Sequence, residues 1–408
     1  MIAVTALMLC SGFHAVTLEQ IPGQAELGYI EVHGVAAGDF DIALWRAGDI
    51  PLLPDARHPL LAPRQAGVYR NIYAPSAVRV EGGWRLFYGG WDGIDVGYDW
   101  IYSAFTTDFV DFGPRETVIN NGVFRHVCNV NALALPGGGF EMMCTVYPTP
   151  NERNKPAYFT SPDGETWNGA PAPYAADYSD IITIEGYEGF EDADINGMNV
   201  IFRDGGTLHL YFNDFNNFGP VFRAESTGGK EFIYQGVALE CHKMVNDVKR
   251  FDIEGGHAWL MGLHRNRDGL WYALSGDGRQ FEPEQPLLTN AGADDRYIVA
   301  LGWVTEENRI LGVLYGAGEV PGLYRNRIFA RWLQRRVVFT SSDGTVCLPE
   351  KAMGPDRQLI RIPDDVAPDG TLQVFSEDGA TPLGPPVEVQ NAAATIFRTI
   401  PAATPDDE

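Results

Sequence analysis

Basic residues are scarce in this chain. Against 54 Asp and Glu stand 30 Lys and Arg in 408 residues, a formal charge of −24. Nucleic acid and anionic membrane surfaces are poor partners for such a chain, because both are held by clustered cations. Breaker-free stretches are equally rare. With 46 Gly and 27 Pro spread along the sequence, few windows could hold a helix of ordinary length, which excludes an all-helical fold. The five cysteines, Cys10, Cys128, Cys144, Cys241 and Cys347, lie far apart with no C-x-x-C pair, so neither a zinc site nor a disulfide scaffold is expected. No run reaches the roughly 18 apolar residues of a membrane helix. The opening MIAVTALMLCSGFHA has the apolar run of an export signal but lacks its basic start and small-residue cleavage site. It reads either as that signal, with a periplasmic or secreted product, or as a buried first strand.

What the chain has instead is aromatic and repetitive. Its 22 Phe, 17 Tyr and 9 Trp are enough to fill one large core and line a cleft. One pattern recurs five times: an alternating apolar run, a polar or Gly-rich turn, then an aromatic-rich run. The copies are NIYAPSAVRVEGGWRLFYGGWDG from Asn71, NVNALALPGGGFEMMCTVY from Asn129, DINGMNVIFRDGGTLHLYFND from Asp194, NDVKRFDIEGGHAWLMGLHRNR from Asn246 and YIVALGWVTEENRILGVLYGAG from Tyr297. Each reads as a β-hairpin. After the first four comes a second turn, TTDFVDF, SPDGETW, STGGKEF or SGDGRQF, where Ser or Thr, in two of them an Asp-Gly pair, and then an aromatic mark an outer hairpin. Two hairpins per repeat predict an all-β, five-bladed β-propeller over residues 66–340. The fifth copy lacks the outer turn, so residues 1–65 are expected to supply its last strand, from the segment DFDIALWR. Residues 341–408 read as a small C-terminal β-sandwich-like module.

Propeller topology assigns function to position, because first strands begin, and second strands end, on one face of the disc. First-strand starts hold Asn71 and Tyr73, Asn129 and Asn131, Asp192 and Asp194, Asn246 and Asp247, and Asp294, Asp295 and Arg296. Second-strand ends hold Trp91 and Asp92, Tyr147, Asn213 and Asp214, His264 and Arg265, and Tyr315. Such a rim of carboxylates, amides and aromatic faces suits a sugar. Cleaving a glycosidic bond needs two carboxyl groups flanking it, and crowded acids hold one another's pKa up by repulsion.

The hairpin YAPSAVRVEGGWRLFYGG resembles a strand and turn of the five-bladed propeller glycoside hydrolases, a group that includes arabinanases, xylosidases, invertases and levanases. The resemblance covers roughly residues 66–340. It implies three acids at inner-strand starts: an early base or nucleophile, an Asp that modulates pKa, and a general acid one blade later. By blade order Asp194 matches the modulator and Asp247 the acid. The early Asp is missing, since the chain reads Tyr73-Ala74-Pro75-Ser76, and Asp92 at the end of the neighbouring strand is the substitute. The expected catalytic set is therefore Asp194, Asp247 and Asp92, with Tyr73, Trp91, Asn131, Asp192, Asp214, His264 and Arg296 binding substrate. No metal or cofactor is called for. The expected partner is a poly- or oligosaccharide, possessing furanosidic units such as arabinofuranosyl in the reading the resemblance favours. Two alternatives stay open: a saccharide-binding propeller without catalysis, and a phosphorylase using Arg265, Arg267 and Arg296 as its phosphate pocket.

Overall fold

The computed structural model describes residues 16–21, 26, 28–65, 70–93, 97–289 and 296–401. The N-terminal apolar run, Asp294 and Asp295 lie outside them. The chain divides into two compact units, one of residues 39–332 and one formed by residues 1–38 together with 333–408.

Among the described residues, the larger unit holds five radial sheets. Their first strands are Ile72–Val80, His126–Ala134, Ile195–Asp204, Met244–Ile253 and Tyr297–Glu306. Each first strand neighbours the next, and the fifth returns to the first, so the ring closes as a β-propeller. Every blade starts as the antiparallel hairpin its sequence implies, for instance Ile72–Val80 with Gly83–Gly90 in register Val80↔Gly83. Around the axis the strands pack closely enough to dictate sequence. A Cβ on Gly302 would meet the Pro75 carbonyl oxygen at 2.2 Å, so the contact between fifth and first blades excludes any side chain there.

The outer turns explain the second repeated motif. Asp163 Oδ1 accepts the N–H groups of Glu165 at 2.8 Å and Thr166 at 2.7 Å, while Ser161 Oγ accepts that of Gly164 at 2.7 Å. Ser275 and Asp277 repeat the arrangement, with Asp277 Oδ1 taking Arg279 N–H at 2.8 Å and Ser275 Oγ taking Gly278 N–H at 3.0 Å. The side chains thus satisfy the turn's own backbone donors, and the aromatic that follows, Trp167 or Phe281, is buried beneath.

The end of the fifth blade differs from expectation. DFDIALWR is not a strand: Ile42–Ala47 is a short helix, capped by Asp41, whose carboxylate accepts from Ala43 N–H at 2.8 Å, and stopped at Gly48 with φ +87°. The segment has good helix formers between a capping Asp and a Gly stop, which outweighs its weak alternation. Trp45 anchors the helix edge-on to Tyr272 and Trp303, at 5.0 and 5.6 Å. The strand that pairs with the blade is Leu52–Pro54, beyond the helix.

The smaller unit is a sandwich of two sheets. One has the order Val16–Ile21, Ile396–Pro401, Tyr29–His33, Arg357–Arg361, Pro349–Ala352; the other is built on Arg336–Ser341 and Gly370–Phe375. Val32, Ile360 and Phe397 from the first share a core with Phe339, Leu372 and Val374 from the second. The boundaries expected at 65 and 340 therefore move to 38 and 332. The first strands join the C-terminal module because their apolar residues complete its core.

Candidate functional site

Each first strand breaks its own ladder near its start. The register slips between Tyr73 and Ser76, Cys128 and Asn131, Asn196 and Val200, Val245 and Asp247, and Val299 and Leu301. Four of these bulges carry a residue in the left-handed region: Ala74 (φ 50°), Asn129 (φ 56°), Gly197 (φ 83°) and Ala300 (φ 51°). A bulge re-aims the side chains beside it, and non-glycine residues held there store strain of about 1–3 kcal/mol each. The bulges open onto an axial cavity of about 340 Å³.

All five blades contribute to its wall. The first supplies Tyr73 and Asp99; the second His126, Cys128, Asn129 and Tyr147; the third Asn196, Met198 and Phe215. Met244, His264 and Asn266 come from the fourth, and Val299, Ala300 and Leu323 from the fifth, while Asn154 completes the rim. The wall is mostly neutral. Burial, with Asp99 and Cys128 nearby, pushes the Tyr73 phenol well above its usual range, and burial and Asp99 do the same to the Cys128 thiol. Both stay protonated. His264, hydrogen-bonded at Nδ1 to Asn246 (2.9 Å) and at Nε2 to Asn266 (3.0 Å), is held down to about 4 by burial and is a neutral ring at pH 7. Among the described wall residues Asp99 is the one carboxylate; its Oδ2 lies 2.8 Å from His126 Nδ1. Among the described residues no group of three or more His, Cys, Asp or Glu side chains is placed to hold a metal ion.

Of the residues expected at the site, Tyr73 and His264 border the cavity. Asp194 stands one step behind the wall, its Oδ1 accepting the backbone N–H (2.9 Å) and the side-chain amide (2.7 Å) of Asn154. Asp214 is buried as a turn cap for the N–H groups of Asp194 (3.0 Å) and Asn216 (2.9 Å), and it also takes the Tyr187 hydroxyl at 3.0 Å. Asp192 is exposed on the preceding loop. Trp91, half-buried, and Arg296, exposed, are outside the cavity wall.

Asp92 and Asp247 do not reach the cavity. Asp92 is fully buried, with both oxygens taken by Arg64 N–H at 2.7 Å, the Tyr88 hydroxyl, and the guanidinium groups of Arg64 and Arg115 at 3.3 and 3.4 Å. Asp247 lies deeper along its strand, accepting from Trp303 N–H (2.9 Å), Lys249 Nζ (2.7 Å) and Asn131 Nδ2 (3.3 Å). Asn131 turns away from the cavity for the same reason, its Oδ1 accepting Ile201 N–H at 3.0 Å. Ser76 Oγ takes Ala132 N–H at 3.0 Å. Together Ser76, Asn131 and Asp247 lace the five first strands to one another.

The loop carrying Glu191, Asp192 and Asp194 is pinned by Lys155, which is 4 % exposed. Its ammonium donates to the carbonyls of Phe190 and of Ala193 (2.7 Å), over the Phe190 ring at 4.6 Å. Burial lowers its pKa, and the acids of that loop oppose the shift. Lys155→Met keeps the bulk and removes both bonds. It should cost about 1.5–3 kcal/mol, and limited proteolysis should cut first within residues 187–193. Unchanged stability and an unchanged digest would show that the pin holds nothing.

The residues that sequence reasoning missed are Asp99, His126 as its partner, Asn154, Asn196, Asn266 and Phe215. Asp99 precedes Trp100–Thr106, in the loop from second to third strand, which opens on the same face as the second-strand ends.

No family model matches the chain, and no curated protein does. Solved structures do resemble it. A candidate glycoside hydrolase from Bacteroides ovatus aligns at TM-score 0.50 and 11 % identity, over 69 % of this chain and 96 % of its own. An α-L-arabinofuranosidase from Podospora anserina gives TM-score 0.48 and 13 % identity, over 69 % and 96 %. The catalytic domain of a Coprinopsis cinerea α-L-arabinofuranosidase gives 0.47 and 14 %, over 70 % and 98 %. At such identities the likeness is one of fold.

Proposed function

We propose that the axial cavity is a saccharide site and that the protein is carbohydrate-active, engaging the end of an oligo- or polysaccharide. The observation that carries this reading is the set of four side-chain amides, Asn129, Asn154, Asn196 and Asn266, around one cavity with the aromatic rings of Tyr73, Tyr147 and Phe215. An amide both donates and accepts, as a sugar hydroxyl does, and an aromatic face covers the apolar C–H side of a sugar ring. A charged ligand would call for fixed opposite charges; a polyhydroxylated one is served by this mixture.

Glycoside cleavage needs a second carboxyl beside Asp99, and Asp194, bonded to the wall residue Asn154, is the acid this reading assigns. Recognition without cleavage is the second reading. It is favoured by the segment Tyr73-Ala74-Pro75-Ser76, which has no acid where the resemblance implies the early base or nucleophile.

Calorimetric titration with neutral oligosaccharides, run beside a screen of aryl furanosides and pyranosides with and without phosphate, tests both. Saturable binding is expected. Turnover lost in Asp194→Asn would establish cleavage, binding alone would establish recognition, and phosphate-dependent turnover would establish a phosphorylase. No binding and no turnover across the panel would overturn the saccharide reading.

A further inference from the structure

Asp99 is 6 % exposed and borders the cavity. Its Oδ2 holds His126 Nδ1, but its Oδ1 is buried and, among the described residues, has no donor within hydrogen-bond distance. A buried carboxylate oxygen without a donor is costly, so such a group calls for an explanation from whatever occupies the space beside it. His126 completes the argument. With Nδ1 facing the carboxylate, Nε2 is the ring nitrogen left for another partner, and it accepts when the ring carries its one proton on Nδ1; among the described residues that nitrogen has no hydrogen-bond partner. The wall therefore presents, on adjacent and mutually bonded side chains, a buried carboxylate oxygen without a donor and a ring nitrogen, on a part-exposed side chain, open to one. The Tyr73 phenol and Cys128 thiol, kept protonated beside the same carboxylate, are donors close by.

We propose that Asp99 and His126 form a clamp for two hydroxyls of the saccharide, one donating to Asp99 Oδ1 and the other to His126 Nε2. A hydroxyl fits better than an ammonium or a metal ion because it can also accept from the surrounding amide, phenol and thiol donors, which a cation cannot. The clamp rests on the saccharide reading and adds to it which part of the sugar is recognised.

The test uses the full chain and four probes: methyl α-L-arabinofuranoside, methyl β-D-xylopyranoside, methyl α-D-mannopyranoside and methyl β-D-galactopyranoside, each with its 2-deoxy and 3-deoxy forms. Affinity is read by calorimetry and the His126 ring nitrogens by nitrogen NMR. At least one parent glycoside should bind and shift the Nε2 resonance. Asp99→Asn and His126→Phe should each weaken it ten-fold or more, and removing the clamped hydroxyl from the sugar should add little to the loss in Asp99→Asn, as expected for partners in one interaction. His126→Phe carries the test if Asp99→Asn does not fold. Parent glycosides that bind wild type and both variants equally would overturn the clamp and leave the saccharide reading standing. Failure of all four parents, together with the oligosaccharide panel above, would overturn both. A rise in the unfolding midpoint with millimolar calcium that Asp99→Asn abolishes, without glycoside binding, would overturn the clamp in favour of a cation.

Discussion

Asp247→Ala will lower the unfolding midpoint of the propeller by roughly 5–15 °C, the shift that about 3–5 kcal/mol produces in a unit of this size. The carboxylate is 1 % exposed and joins Trp303 N–H of the fifth blade, Asn131 of the second and the Lys249 ammonium. Removing it strands a mostly buried cation and leaves a backbone N–H without an acceptor, losses that far exceed what a surface ion pair is worth. Asp247→Asn should fall between, since it keeps an oxygen for Trp303 but loses the charge opposite Lys249. Scanning calorimetry reads both. A midpoint within a degree or two of wild type, with activity abolished, would instead return Asp247 to the role of proton donor.

The second large effect is on the pH dependence of stability. His264 is buried, and its folded-state pKa of about 4 lies below its ordinary 6.5. The unfolded chain therefore takes up the proton first as pH falls, and stability drops from about pH 6.5 until the folded form also protonates near pH 4. Between pH 7 and pH 5 this group alone should remove about 2 kcal/mol. Urea unfolding of wild type and His264→Gln at the two pH values isolates the term, because the carboxylates are common to both proteins. Parallel losses in the pair would mean that His264 titrates in the folded protein as it does in the unfolded one.

The propeller was legible because its signals are local. An alternating hairpin and a Ser-x-Asp-Gly turn that bonds to its own backbone are complete within about twenty residues, as Ser161 and Asp163 show. The site was legible only to the nearest bulge. Strict alternation places Asn129 and Asn131 on one face, yet the left-handed backbone at Asn129 breaks the period, so one lines the cavity and the other laces the ring. His126 carries no signal of its own in the sequence because its partner Asp99 is 27 residues away in another blade. Asp92 and Asp247 stood at the right strand ends, but the Arg64 and Arg115 cations that consume Asp92 are set by the fold and no spacing rule points to them, whereas Lys249, two residues on from Asp247 in the same strand, is the partner that strand spacing offers it. The helix at Ile42–Ala47 was hidden by a neighbouring strand too short to show a period.

The two-sheet unit assembled from both ends of the chain imposes an order on biosynthesis. Tyr29–His33 pairs with Arg357–Arg361 and with Ile396–Pro401, so its partners leave the ribosome long after it does. At the usual elongation rates of ~5–20 residues per second the wait is on the order of 20–70 s. Throughout that interval Ile30 and Val32, both fully buried in the finished protein, belong to a strand with no sheet to join, whereas each blade can pair as soon as its own hairpin emerges. The nascent chain is thus exposed to aggregation at this strand, and a holdase that recognises short apolar strands would act there first.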